Sequence, residues 1–121
     1  YFFYSLGQKK YYSCLNYIDA VIGNSSSGIL EVPTFKIPSI NIGNRQDGRV
    51  MASSVINVDY KKKNISKSID KIYSKKFKKI VKNSKNPYGN GGATDNIIKV
   101  LLKIKQFTVK KTFKDLKFKW K

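Results

Sequence analysis

The segment Ala20-Val21-Ile22-Gly23-Asn24-Ser25-Ser26-Ser27-Gly28-Ile29-Leu30-Glu31-Val32-Pro33 decides the fold of this 121-residue chain. Ala20 to Gly23 is a short apolar run of the kind that fills a parallel strand covered on both faces. A polar turn of one asparagine and three serines follows. Ile29 to Val32 then supply one or two helical turns, which Pro33 is expected to end. Strand, polar turn and helix in that order form the repeating unit of an α/β fold.

Downstream, Pro38-Ser39-Ile40-Asn41-Ile42 closed by Gly43, and Ser54-Val55-Ile56-Asn57-Val58, read as two more strands. Between them runs a polar loop, Gly43 to Met51, that carries the only two arginines, Arg45 and Arg49. Upstream, the aromatic run Tyr1 to Ser5 reads as a buried strand broken by Gly7. Tyr11, Tyr12, Leu15 and Ile18 recur at helical spacing and predict a helix over 8–17.

From Asn64 the residues Ile65, Ile69, Ile72, Tyr73, Phe77, Ile80 and Val81 repeat at three and four. This predicts one amphipathic helix with Asn64 as N-cap and lysines on its outer face. Asn86 to Gly92 is a turn cluster, and a further helix is expected from Thr94 through Ile104. The last sixteen residues, 106–121, have no assignment. The expected architecture is an α/β fold with a mainly parallel sheet flanked by helices and right-handed crossovers. Ligands of such sheets sit beyond the carboxyl ends of the strands, where Asn24 to Gly28 and Gly43 to Arg49 would both emerge.

Composition narrows the function classes. The net charge is +18, which invites a polyanion partner. Yet 20 of the 25 basic residues lie beyond residue 60 and 23 are lysine, whereas phosphate and base readers favour the planar fork of arginine. Solvated lysines therefore explain the charge better than a dedicated nucleic-acid site. No apolar stretch approaches the roughly 20 residues that cross a bilayer. The single cysteine, Cys14, has no partner for a disulfide and reads as a small helix residue. With no initiator Met and no charged leader before Tyr1, the sequence is expected to start inside a longer protein.

The turn after Gly23 offers three hydroxyls and several backbone N–H groups at a helix start, which suits an anion such as a diphosphate. Helix capping by one serine is the alternative that spacing alone leaves open. Glu31 lies one helical turn further on, where a carboxylate can accept hydrogen bonds from two ribose hydroxyls or can simply favour the helix start. Arg45 or Arg49 could clasp phosphate oxygens in a fork. There is no histidine, no Ser/His/Asp or Cys/His set, no metal-ligand cluster and no glycine fingerprint for a dinucleotide. The seven acids are scattered, so the chain holds a ligand more convincingly than it transforms one.

Ala20 to Pro33, then Pro38-Ser39-Ile40-Asn41-Ile42-Gly43-Asn44-Arg45-Gln46-Asp47-Gly48-Arg49, and the later Asn86-Pro87-Tyr88-Gly89-Asn90-Gly91, closely resemble the hydrolysing UDP-N-acetylglucosamine 2-epimerases. The resemblance runs from Phe3 to Leu102. It implies most of the second Rossmann-like domain of a two-domain, GT-B-like enzyme over residues 1–105, followed by a lysine-rich tail at 106–121.

By the resemblance, Ser25 and Ser26 bind the UDP diphosphate, Ser27 and Gly28 complete the turn, Glu31 holds the ribose and Arg45 contacts the nucleotide. Leu6, taken as the end of the first strand, matches a position whose backbone meets the uracil. Family members remove the proton at sugar C2 and eliminate UDP through a 2-acetamidoglucal. The hydrolysing type then adds water to give an N-acetylmannosamine-type sugar used in sialic-acid-like products.

The catalytic acids and a substrate-contacting histidine belong to an N-terminal domain, so no catalytic residue is carried over. The resemblance further implies a cytoplasmic homo-oligomer that takes a UDP-sugar, with no cofactor, metal or membrane. Lys36 departs from the family, whose members commonly carry glycine there. Two alternatives remain: a non-hydrolysing epimerase, and a basic nucleic-acid module using Phe107, Phe113, Phe118 and Trp120 of the tail.

Overall fold

The computed structural model describes residues 1–105; the tail at 106–121, with its four aromatics, lies outside the described residues. Two compact units are present, Tyr1–Asn90 and Gly91–Lys121. The first runs α1 (Gly7–Leu15), β1 (Val21–Gly23), α2 (Ser27–Leu30), a 3₁₀ turn (Val32–Phe35), β2 (Ser39–Ile42), β3 (Val55–Val58), α3 (Lys62–Tyr73) and α4 (Lys75–Asn83). In the second, α5 (Ala93–Lys103) is described, with no buried residue and Asp95 in its first turn.

All three strands are parallel in the order β1-β2-β3, with Ile22 opposite Ile40 and Ile40 opposite Ile56. Their side chains alternate between two faces. On one face Ile40 and Ile56 are buried together with Ile72 of α3 and Phe77 and Val81 of α4, with Ala20, Ile42 and Val58 packed around them. On the other, Ser39 and Asn41 are buried, with Ser39 against Gly28 of α2, and Ile29 and Val32 are fully buried in and just after that helix. The α/β architecture with a parallel sheet flanked by helices is therefore the one the sequence predicts.

Gly28 explains how α2 sits so close to that face. A Cβ at Gly28 would come 2.5 Å from the Ser39 Oγ, so a larger residue would make that hydroxyl or the helix shift. Gly43 ends β2 at φ 79°, and a Cβ there would collide with the Tyr60 hydroxyl.

Four expectations are corrected. Tyr1 to Ser5 is not a strand: none of its residues pairs with the sheet, and Tyr1 to Tyr4 are exposed. An aromatic run favours extended backbone, but a strand exists only where a neighbour completes its ladder of hydrogen bonds. Leu6 consequently precedes α1 as its N-cap instead of ending a strand.

Pro33 does not end the helical segment either. It sits early in the 3₁₀ turn, where a missing N–H costs nothing, and Thr34 N–H still reaches the Glu31 carbonyl.

The single helix expected from Asn64 is two helices broken at Ser74. That residue takes an extended backbone, donates its hydroxyl to the Lys71 carbonyl at 2.7 Å and accepts the Phe77 N–H at 3.2 Å. One serine thus closes α3 and caps α4 while Ile72 and Phe77 both stay in the core. Asn64 is not the N-cap of α3. It lies inside the helix, and its amide donates to Asp59, which also accepts the Lys61 N–H.

Lys36 adopts the left-handed conformation at φ 57°, the only described non-glycine residue with positive φ. Its N–H closes the 3₁₀ turn on Pro33, and its ammonium donates to the Ser84 carbonyl at the end of α4. Left-handed backbone costs a side-chain-bearing residue about 1–2 kcal/mol, which is why glycine suits this position. Cys14 is exposed on α1.

Candidate functional site

Because the strands are parallel, Gly23 and Ile42 end on the same edge of the sheet, and the Asn24–Gly28 turn and the Gly43–Arg49 loop both leave from it. Two side chains of the second loop meet one carbonyl of the first. Gln46 Nε2 donates to the Asn24 carbonyl at 2.7 Å, and Arg45 Nη1 approaches the same oxygen at 3.4 Å. Gln46 is buried and Arg45 exposed, so the glutamine locks the loops while the guanidinium stays open to a ligand. Arg49 is exposed, and its side chain hydrogen-bonds to none of the described residues.

Within the serine turn the three hydroxyls have different fates. Ser25 Oγ accepts the Ser27 N–H at 3.3 Å, leaving its own proton to donate. Ser26 begins α2 with helical dihedrals and no side-chain capping bond, so its hydroxyl is uncommitted among the described residues. Simple capping thus leaves two of the three hydroxyl protons unexplained.

Ser27 is fully engaged. Its Oγ donates to Glu31 Oε2 at 2.7 Å and lies 2.5 Å from the Tyr11 hydroxyl. An ionised carboxylate only accepts, so the Ser27 proton points to Glu31 and Tyr11 donates to Ser27.

Beside these three side chains opens a groove of ≈ 740 Å³ lined by Leu6, Tyr11, Ser27 and Glu31 together with Tyr1, Phe2 and Phe3 of the N-terminal segment. Of the residues the sequence singled out, the structure brings Leu6, Ser27 and Glu31 into this groove. It sets Ser25 and Ser26 immediately before Ser27, and Arg45 against Asn24. Gly28 faces away, onto Ser39, so its visible role is helix–sheet packing.

For three contributors the sequence supplies no individual role. Tyr11 reads as a helix-spaced apolar residue, and Gln46 appears only within a stretch that carries the resemblance. The same holds for Asn86, which the sequence otherwise places in a turn cluster. Its amide donates to the Leu30 carbonyl at 2.8 Å and to Thr34 Oγ1 at 2.7 Å, clasping the end of α2, while Tyr88 Oη donates to the Val50 carbonyl at 3.0 Å. The available signal was an amide beside a proline, a good partner for orphan carbonyls at a helix end.

A second cavity of ≈ 280 Å³ lies at the opposite ends of the strands, among Ile18, Ile37, Pro38 and Val81. Two of its three lysines have other occupations, Lys36 on the Ser84 carbonyl and Lys78 above the Tyr73 ring. Among the described residues no group of acids, histidines and cysteines could hold a metal, and no helix is long and apolar enough to cross a membrane.

Residues 1–102 match the family model described as UDP-N-acetylglucosamine 2-epimerase. The chain is 41% identical over 113 residues to the polysialic acid biosynthesis protein P7 of Escherichia coli, covering 93% of this chain and 28% of that protein. It is 48% identical over 76 residues to the hydrolysing GDP/UDP-N,N'-diacetylbacillosamine 2-epimerase of Campylobacter jejuni, covering 63% of this chain and 19% of that one. A third relative, the UDP-N-acetylglucosamine 2-epimerase of Neisseria meningitidis, is 43% identical over 60 residues, covering 50% of this chain and 16% of that protein. The chain thus spans less than a third of the length of the curated relatives it matches. With nearly all of its described residues inside the match, the chain belongs to the UDP-N-acetylglucosamine 2-epimerase family.

Proposed function

We propose that this chain is the nucleotide-holding part of a hydrolysing UDP-N-acetylglucosamine 2-epimerase, which converts its UDP-sugar to UDP and an N-acetylmannosamine-type sugar. The observation that carries this is the placement of Glu31: its carboxylate is held by Ser27 in an open groove shared with Leu6, and Ser27 directly follows two serines whose hydroxyl protons are still free to donate among the described residues. Ser25 and Ser26 donate to the diphosphate, Ser27 and Gly28 shape the turn, Glu31 accepts from the ribose, and Arg45 adds its charge. The Leu6 backbone meets the uracil.

In this role the chain stabilises a leaving group. Negative charge develops on the diphosphate as the bond to the sugar breaks, and donors already in place need little reorganisation to meet it. Proton removal at C2 is assigned to a further domain of a GT-B-like enzyme, and in keeping with this Glu31 is the one acid among the described residues that line the groove. The hydrolysing outcome is supported by the Asn24-Ser25-Ser26-Ser27-Gly28 turn and by the likeness to the hydrolysing epimerase of Campylobacter jejuni. The full-length protein is proposed to act in the cytoplasm as a homo-oligomer.

The test is UDP binding by the full-length protein, measured by calorimetry for wild type, Ser26→Ala and Arg45→Ala. Both substitutions are expected to weaken it, and unchanged affinity in both would refute the site. Product analysis completes it: free UDP together with free sugar identifies the hydrolysing reaction, whereas a product still joined to UDP identifies the non-hydrolysing one.

A further inference from the structure

Tyr11 stands outside every role assigned so far, yet it is tied to the groove more tightly than any other aromatic side chain. It projects from α1, its hydroxyl lies 2.5 Å from Ser27 Oγ, and Ser27 Oγ lies 2.7 Å from Glu31 Oε2. Proton direction along this chain is forced. Glu31 can only accept, so Ser27 donates to it, and the remaining acceptor capacity of Ser27 is met by the phenol. A hydroxyl that is itself receiving a hydrogen bond is a better donor to a carboxylate, because bonds in series polarise one another.

The Tyr11 ring is held in turn. It lies 5.9 Å from Tyr12, whose ring lies 5.6 Å from Phe35 in the 3₁₀ turn. Through Tyr12 the phenol is therefore linked to the segment that follows Glu31.

We propose that Tyr11 is a positioning residue which, through Ser27, orients the Glu31 carboxylate for a ribose diol and so sets the preference for ribonucleotides over 2'-deoxyribonucleotides. This rests on the assignment of Glu31 to the ribose. With Oε2 already accepting from Ser27, the rotamer of Glu31 is set before any ligand arrives, and Oε1 remains to accept from the sugar. Bidentate contact with two adjacent hydroxyls tolerates little rotation of the carboxylate. Without the phenol, Ser27 can swing its proton elsewhere, and the carboxylate loses its fixed orientation while keeping its charge.

The experiment compares UDP with 2'-deoxy-UDP as probes, binding to the full-length protein by calorimetry, for wild type, Tyr11→Phe, Ser27→Ala and Glu31→Ala. Losing one hydrogen bond of the relay is expected to weaken UDP binding about three- to tenfold. Binding of 2'-deoxy-UDP should change much less, so the preference collapses. Tyr11→Phe and Ser27→Ala should be non-additive in combination, as members of one chain are. In turnover, Tyr11→Phe should raise KM with little change in kcat.

Equal loss for both probes in Tyr11→Phe would show a merely structural tyrosine and overturn the proposal. If Glu31→Ala abolishes the ribose preference while both Tyr11→Phe and Ser27→Ala retain it, the relay is wrong and the Glu31 assignment stands. If Glu31→Ala itself keeps the preference, the ribose assignment fails and takes the relay with it.

Discussion

Gln46 Nε2 donates to the Asn24 carbonyl at 2.7 Å, with Gln46 only 3% exposed, so the two loops beyond the sheet are pinned by a buried amide. Gln46→Ala removes that tie and leaves a small void. A net hydrogen bond contributes about 0.5–1.5 kcal/mol, so the protein should lose at least that much stability, read as a fall in melting temperature. UDP affinity should fall as well, because the Arg45 loop is no longer registered on the serine turn. A variant as stable as wild type with unchanged UDP binding would contradict the pinning role.

Gly28 and Ser39 form a packing pair. Gly28→Ala puts a methyl group 2.5 Å from the Ser39 Oγ, in a site where both residues are buried. Overpacking of this kind typically costs about 1–3 kcal/mol. Adding Ser39→Ala removes the oxygen and leaves only the Cβ at 3.8 Å, an ordinary contact. The double variant should therefore recover most of the loss in a denaturant titration, and additive penalties would disprove the contact.

Lys36→Gly sets two effects against each other. It relieves a left-handed backbone worth about 1–2 kcal/mol. It also removes the ammonium that donates to the Ser84 carbonyl from an exposed residue. The bond is part-buried on a buried serine, and a hydrogen bond from a charged donor contributes about 1.5–3 kcal/mol, so its loss should outweigh the backbone gain and the melting temperature should fall. A higher melting temperature would show that backbone strain matters more than the ammonium at the end of α4.

Asp59 is held below the usual aspartate range, first by the Asn64 amide, then by the Lys61 N–H and the Lys61 charge, against a small opposing effect of burial. A carboxyl with a depressed pKa stabilises the folded state above its unfolded pKa, and that contribution disappears as pH falls through the folded pKa. Wild type should therefore melt above Asp59→Ala at neutral pH, with the gap narrowing as the solution becomes acidic enough to protonate Asp59. The Lys61 bridge, at 3.9 Å and exposed, adds little. A gap independent of pH would assign the effect to helix geometry instead of charge.

Much of the fold was legible because its signals are local. The apolar Ala20-Val21-Ile22 before Gly23 and the alternation of Ile40 and Ile42 before Gly43 read as strands, and the repeat through Ile69, Ile72 and Val81 reads as helices against them. Ser74 was legible too, as a residue that bonds its own neighbourhood, but a continuous hydrophobic period outweighs it on inspection. Tyr1 to Ser5 misled for the converse reason. Its propensity is local, whereas a strand's hydrogen bonds come from elsewhere in the chain.

The candidate site divides along the same line. The sequence by itself determined the α/β class, the serine turn and arginine loop on one rim, and the family to which these residues belong. All of that follows from order, period and residue type within short windows. Only the tertiary structure decided which hydroxyls are committed and which are open. Ser27 is engaged because α1 brings Tyr11 across sixteen residues of chain to meet it, and Gly28 is needed because α2 lies directly on Ser39. Hydrogen bonds are satisfied between atoms that meet in space, and no spacing along the chain records that Tyr11, Ser27 and Glu31 lie in line.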